Sequence, residues 1–209
     1  MVLVMVFPGW SGKKPKQRLA LLKKRLEKIP RVDVVIVEYL NIDGPFTKLR
    51  TRSSVEELAS NAEKNIPYAG RERVIAIGYS LGAIILRLLI KRDYKFDLCI
   101  FAGGPHKGFS PKFLRLYHLA ALLGVKPFFE LTPGSDFLKS LGEAPPGIYI
   151  GSQIDKKVPI ESAIPENAKR RIHLYHCGHN MFPYKKRDES ASAIPIVVEI
   201  VRKYVNNSP

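Results

Sequence analysis

Short apolar runs of strand-forming residues alternate with amphipathic helical stretches along this chain, and that alternation constrains the fold more than any other feature. Val2–Phe7 (VLVMVF) reads as a buried strand closed by Pro8-Gly9. Residues 17–29 space Leu19, Leu22, Leu26 and Ile29 three and four apart, which predicts a helix with a basic outer face. Residues 33–39 (DVVIVEY) predict a second strand. Residues 53–66 predict a second helix, with Ser53 or Ser54 as its cap and Glu56 and Glu57 in its favourable first turn. A third strand over residues 73–79 (RVIAIGY) runs at once into a helical stretch, residues 81–90. Further strands are predicted over residues 97–102, 148–151 and 171–177, and a closing helix over 194–205 that Pro195 can begin. Strands this apolar are expected to be buried on both faces, the mark of a parallel sheet with helices packed on each side. The expected architecture is therefore α/β: one domain over residues 1–209, with a mostly parallel sheet of about six strands between two helical layers.

At 209 residues, 45% of them hydrophobic and 25% charged, the chain is long enough for one substantial core without a disulfide or metal staple. The apolar run near the start is far short of the ~20 residues a membrane helix requires. It also lacks a preceding basic residue and a following cleavage site, so a secretory signal is not expected and a cytoplasmic location is. Cys99 and Cys177 fit no zinc spacing and read as buried free thiols. The net charge of +15 comes in clusters: Lys13, Lys14, Lys16 and Arg18; Lys23, Lys24 and Arg25; residues 169–171; and residues 185–187. No nucleic-acid-binding motif accompanies them. They fall on polar helix faces and in loops, so a solvated basic surface is expected and nucleic acid is not an expected partner.

Residues 103–146 break the rhythm, being too long for a simple crossover between the fourth and fifth strands. They hold Phe109, Phe113, Leu114, Leu116, Tyr117, Leu119, Leu122, Phe128, Phe129 and Leu131. Such a cap-like excursion either covers the functional end of the sheet or adds to the core.

At the junction of the third strand and the helix after it stands Gly78-Tyr79-Ser80-Leu81-Gly82. A serine on a sharp strand-to-helix turn presents its hydroxyl at the C-terminal edge of a sheet, above the positive end of the helix, and the Leu81 N–H can stabilise an oxyanion. Small residues two positions away on either side let the turn close. The alternative is a structural glycine-rich turn with a helix-capping serine. A serine hydroxyl is a weak nucleophile and needs a base held in place by a third group. Of five histidines, His179 lies in a loop just past the last predicted strand, where a base could reach Ser80; His176 and His106 are the rivals. His173 reads as part of the sixth strand and His118 as part of the excursion. For the acid, Asp155 follows the fifth strand at the same sheet edge, whereas Ser135-Asp136 more naturally starts a short helix.

The segments Gly78-Tyr79-Ser80-Leu81-Gly82, residues 148–159 (IYIGSQIDKKVP) and residues 173–180 (HLYHCGHN), in that order, resemble the α/β-hydrolase superfamily, and within it lipases and lipase-like carboxylesterases. Residues 102–108 (AGGPHKG) and 131–141 (LTPGSDFLKSL) resemble segments between strands of those lipases. The resemblance implies a single-domain α/β-hydrolase fold with a nucleophile elbow at Ser80. It implies a triad of Ser80, Asp155 and His179, with the backbone N–H groups of Trp10 and Leu81 as the oxyanion hole. The chain departs from the common His-Gly after the first strand, having Phe7-Pro8-Gly9-Trp10 instead. Trp10, the one tryptophan, either lines the acyl pocket or belongs to the core. The implied activity is cleavage of a small-molecule or lipid carboxylic ester through an acyl-enzyme, with no metal or organic cofactor. The same triad also serves thioesterases, amidases and acyltransferases, and the remaining alternative is a non-catalytic binding protein with a basic surface. Lys185, Lys186 and Arg187, close after His179, suit an anionic substrate or a weak contact with an anionic lipid surface.

Overall fold

The sheet is wound outward from its first strand. β1 (Val2–Phe7) pairs in parallel with β2 (Val32–Ile36) on one side and with β3 (Val74–Tyr79) on the other. The chain then continues away from β3 through β4 (Leu98–Ala102), β5 (Ile148–Ser152) and β6 (Arg170–Leu174), all parallel, giving the order β2-β1-β3-β4-β5-β6. The order reverses between β1 and β3, and in open parallel sheets the crevice beyond the C-terminal ends of such a pair is where ligands bind. The computed structural model describes residues 1–10, 15–39, 53–67, 73–113, 115, 125–183 and 185–207.

Alternation along β1 assigns its residues to two cores. Leu3, Met5 and Phe7 pack in one core with residues of α2 (Val55–Lys64) and α3 (Leu81–Lys91), among them Leu58, Ile84 and Leu88. Val2, Val4 and Val6 pack in the other with Leu19, Leu22 and Leu26 of α1 (Pro15–Leu26) and Ile194, Val197 and Val201 of α7 (Ile194–Asn206). Helix α3 is buried at every residue from Leu81 to Leu89, because it lies between the sheet and α2. On the other layer Arg25 of α1 grips Glu189, in the loop before α7, through two 2.6 Å hydrogen bonds. The pairing raises the Arg25 pKa and lowers that of Glu189.

The six-stranded parallel sheet with helices on both faces is the architecture the periodicity implies. One strand differs. β6 ends at Leu174, three residues short of its expected end, and Arg170, Arg171 and His173 are exposed. It is an edge strand protected by charge rather than a strand buried on both faces. Cys177 consequently lies in a loop; both cysteines are buried and free, and burial pushes the Cys99 thiol up to about 12.

Short helices α4 (Lys126–Glu130) and α5 (Asp136–Ser140) lie in the excursion after β4, and α6 (Ile160–Ala163) follows β5. In the described part of the excursion, Phe109, Val125, Phe128, Leu131, Leu138 and Leu141 are buried in the core shared with α2 and α3. Leu114, Leu116, Tyr117, His118, Leu119 and Leu122 fall outside the described residues, as do Lys13 and Lys14. Among the described residues no helix is long and apolar enough to cross a membrane.

Of the two serines that could cap α2, Ser54 does so. Its Oγ accepts from the Glu57 N–H at 3.1 Å while the Glu57 carboxylate accepts from the Ser54 N–H at 2.7 Å, a complete capping box. Ser54→Ala is expected to lower unfolding free energy by about 1 kcal/mol in urea titrations, by orphaning the Glu57 N–H.

Candidate active site

The turn at Ser80 is set by how closely α3 begins against the ends of β1 and β3. A Cβ on Gly82 would run into the Phe7 carbonyl and lie 2.7 Å from the Pro8 carbonyl oxygen; one on Gly78 would lie 2.6 Å from Ala83 Cα. Both glycines are therefore required by space. Between them Ser80 adopts φ 52° and ψ −119°, a conformation that costs a side-chain-bearing residue on the order of 1–3 kcal/mol. The Ser80 N–H donates to the Ala102 carbonyl at 2.8 Å, tying the turn to β4. Although Ser80 occupies the cap position of α3, its hydroxyl makes no capping bond. The reading of Ser80 as an ordinary helix cap is thus not what the structure contains.

The hydroxyl instead meets His179, whose Nε2 lies 2.8 Å from Ser80 Oγ. Across the ring, His179 Nδ1 lies 2.7 Å from Asp155 Oδ2. A carboxylate offers only acceptors, so Nδ1 carries the proton and Nε2 is left to accept from the serine hydroxyl. Asp155, on the loop after β5, has a fully buried side chain. Its other oxygen accepts from the Lys157 and Val158 N–H groups at 2.9 and 3.1 Å, which fix the carboxylate plane. Three residues 75 and 24 positions apart in sequence are thereby aligned at the C-terminal edge of the sheet.

The rivals lie elsewhere. His173 and His176 are exposed, and Asp136 is exposed at the start of α5, 3.5 Å from Lys139. His106 is buried with its ring edge-on to Phe101 and Tyr149, at centroid distances of 5.5 and 5.2 Å. Neither of its nitrogens has a hydrogen-bond partner among the described residues. Burial, reinforced by the Arg87 charge, pushes its pKa down to about 3. Cys177, two residues before His179 in the chain, has its thiol pKa raised by burial and by Asp155.

The two expected oxyanion donors flank the serine in the chain's path. Leu81 opens α3, where first-turn N–H groups have no intrahelical acceptor. Trp10 follows Gly9, where a Cβ would lie 2.9 Å from Ser80 Cβ, so the loop after β1 runs directly past the serine. That loop is braced twice: the buried Tyr39 hydroxyl donates to the Pro8 carbonyl, and the half-buried Trp10 ring stacks on Phe128 at 4.9 Å. Burial raises the Tyr39 pKa well above its ordinary value. Tyr39 carried no sequence signal beyond closing the second predicted strand. Among the described residues no three His, Cys, Asp or Glu side chains are grouped to hold a metal ion.

No protein-family model matches the chain, and no curated protein matches it in sequence. Solved structures do. A metagenome-derived lipolytic enzyme superposes with a TM-score of 0.69 at 12% identity, over 99% of this chain and 94% of its own. An esterase from Exiguobacterium antarcticum gives 0.69 at 15% identity, over 99% and 92%. α/β hydrolase domain-containing protein 10 from mouse gives 0.61 at 15%, over 98% and 89%. The chain has the α/β-hydrolase fold, and the likeness to these structures covers 98–99% of it. At these identities the likeness speaks to fold, and function has to be argued from the site.

Two outcomes are expected. Gly82→Ala should lose at least about 2 kcal/mol of unfolding free energy, because the new Cβ meets backbone carbonyls that cannot move aside without shifting β1. His106 is held neutral in the folded protein, whereas the unfolded chain protonates it near the ordinary 6.5. Its stabilising contribution is full above that value and is lost as pH falls from 6.5 toward 3, by at most about 1.4 kcal/mol per pH unit. Urea unfolding of wild type and His106→Leu between about pH 7 and pH 4 should show a shallower fall in the variant.

Proposed function

We propose that this chain is a serine hydrolase of carboxylic esters, working by two-step acyl transfer. The observation that carries the reading is the unbroken chain from a strained serine hydroxyl through a part-buried imidazole to a fully buried carboxylate, at 2.8 and 2.7 Å. In this reading Ser80 Oγ attacks the ester carbonyl while His179 Nε2 takes its proton. Asp155 holds the ring in the Nδ1–H tautomer and stabilises the imidazolium that forms. The Leu81 and Trp10 N–H groups receive the oxyanion. His179 then protonates the leaving alcohol and activates the water that releases the acid.

The acyl group is assigned to the side of the site where Trp10 stacks on Phe128 and where Phe109 and Phe113 join the same aromatic cluster, with centroids 5.1 to 6.3 Å apart. Residues 1–209 form one domain in this reading, with residues 103–146 as a cap-like excursion that supplies Phe109, Phe113 and Phe128. Two buried free thiols suit a cytoplasmic setting. The exposed Lys185, Lys186 and Arg187 suit an anionic substrate or lipid headgroup.

A fluorophosphonate probe and p-nitrophenyl esters of increasing acyl length test this directly. Wild type should label and turn over. Ser80→Ala should abolish labelling and lower kcat by at least roughly 10⁴-fold, and Asp155→Asn by about 10⁴-fold through loss of the correct tautomer. Turnover of thioesters or amides in preference to oxygen esters would move the substrate class while keeping the triad. Wild type that neither labels nor hydrolyses, with or without detergent, would leave the fold as a binding protein.

A further inference from the structure

The proposed base is carried on an irregular loop. Residues 175–183 follow the exposed edge strand β6 and contain no helix or strand of their own. A loop at a sheet edge belongs to the part of a structure that opens most easily. Yet it holds an imidazole to hydrogen-bonding distance from both Ser80 and Asp155.

Two hydroxyls clamp this loop, one from each of the strands that carry the other two residues. Tyr79, the last residue of β3 and the immediate neighbour of Ser80, donates its phenol O–H to the backbone carbonyl of His179 itself, at 2.6 Å. Its ring also packs edge-on against Phe182 at 5.1 Å and lies tilted against the His179 ring at 5.9 Å. Ser152, the last residue of β5 and three residues before Asp155, donates its hydroxyl to the Cys177 carbonyl. The His179 carbonyl also accepts from the Met181 N–H at 2.9 Å, a bond within the loop itself; the bonds that reach outside the loop to the carbonyls on either side of Gly178 come from the nucleophile's strand and from the acid's strand. Both donors are buried, at 3% and 1% exposure. Tyr79 occupies the variable position before the serine in Gly-x-Ser-x-Gly, where the tight turn itself asks nothing of the side chain.

We infer that Tyr79 and Ser152 are positioning residues for the proposed reaction, fixing the backbone of the base relative to the nucleophile and to the acid. The inference rests on the reading of Ser80, His179 and Asp155 given above. During acyl transfer the imidazole has to serve two oxygens in turn, the serine's and the leaving group's. Clamping its backbone carbonyl leaves the ring free to rotate while denying the loop any drift away from Ser80. A displacement of about 1 Å is enough to cost two orders of magnitude in rate.

Tyr79→Phe keeps the ring and its packing and removes only the O–H; Ser152→Ala removes the other donor. Three readouts apply to wild type, both single variants and Ser80→Ala. They are the second-order rate of fluorophosphonate labelling, kcat and KM for p-nitrophenyl acetate, and the downfield proton resonance of the His179 Nδ1–H bonded to Asp155. Tyr79→Phe is expected to lower kcat and the labelling rate by 10- to 100-fold at unchanged KM. Its thermal midpoint should remain close to wild type, and its downfield resonance should be broadened. That resonance should stay sharp in Ser80→Ala, which lacks the nucleophile but retains both clamps. Ser152→Ala should do the same on the Asp155 side, and if it fails to fold, Tyr79→Phe alone decides. Wild-type labelling rate and a sharp resonance in Tyr79→Phe would overturn the inference. If wild type itself is not labelled, the hydrolase reading fails, and the resonance in Tyr79→Phe still reports whether the clamp holds the base.

Discussion

The approach of α3 to the end of β1 is the constraint on which the rest of this structure depends. With only a hydrogen at Gly82, the helix can start against the Phe7 and Pro8 carbonyls, and with only a hydrogen at Gly78 the strand before it can turn without meeting Ala83. Ser80, between them, has no extended or helical conformation left and is held in the left-handed region. The same contact brings Gly9 against Ser80, so the loop carrying Trp10 passes the hydroxyl. Strain here is sustained by burial: every residue of α3 from Leu81 to Leu89 is in the core, and the helix cannot slide outward to relax the turn.

The second layer matters because it anchors the far end of the loop that carries His179. After His179 the chain passes Met181, whose carbonyl accepts from the Ala193 N–H at 2.9 Å, and then reaches α7. Helix α7 packs with α1 on the outer face of the sheet, and the fork between Arg25 and Glu189 ties α1 to the segment just before α7. The loop bearing His179 is therefore bounded by β6 on one side and by a two-helix layer on the other. Its middle is held by two hydroxyls and by the Met181 N–H donating to the His179 carbonyl, rather than by strand pairing.

What was legible in the sequence follows the range over which each cause acts. The elbow could be read because its causes lie within five consecutive residues, and the strand periodicity could be read because alternation is local. Asp155 and His179 could be placed because each follows a predicted strand that ends at the same edge of the sheet. The exposure of β6 could not: Arg171, His173 and Leu174 mix charge and apolarity much as a half-buried strand does, and only its place at the end of the strand order exposes it. Tyr39, Tyr79 and Ser152 were invisible for a related reason. Their hydroxyls reach carbonyls 31, 100 and 25 residues away, and such pairings are fixed by the winding of the sheet and not by any local pattern.

The aromatic contacts give the proposed acyl side a mechanical link to the proposed oxyanion hole. Trp10 contributes a backbone N–H to one and a ring to the other, and that ring stacks on Phe128 of α4. Phe128 in turn touches Phe109 and Phe113, at the opposite end of the excursion. In the proposed reading, a group bound beside Trp10 would bear on the same residue whose N–H receives the developing charge. Binding at a distance from the reacting carbonyl can then be spent on holding that donor in place, which raises the rate rather than merely the affinity. Pro8 fits the same scheme. Proline removes one backbone donor and fixes one dihedral, and the Tyr39 hydroxyl holds the carbonyl that remains, so the loop is stiffened at Pro8 and again at Trp10.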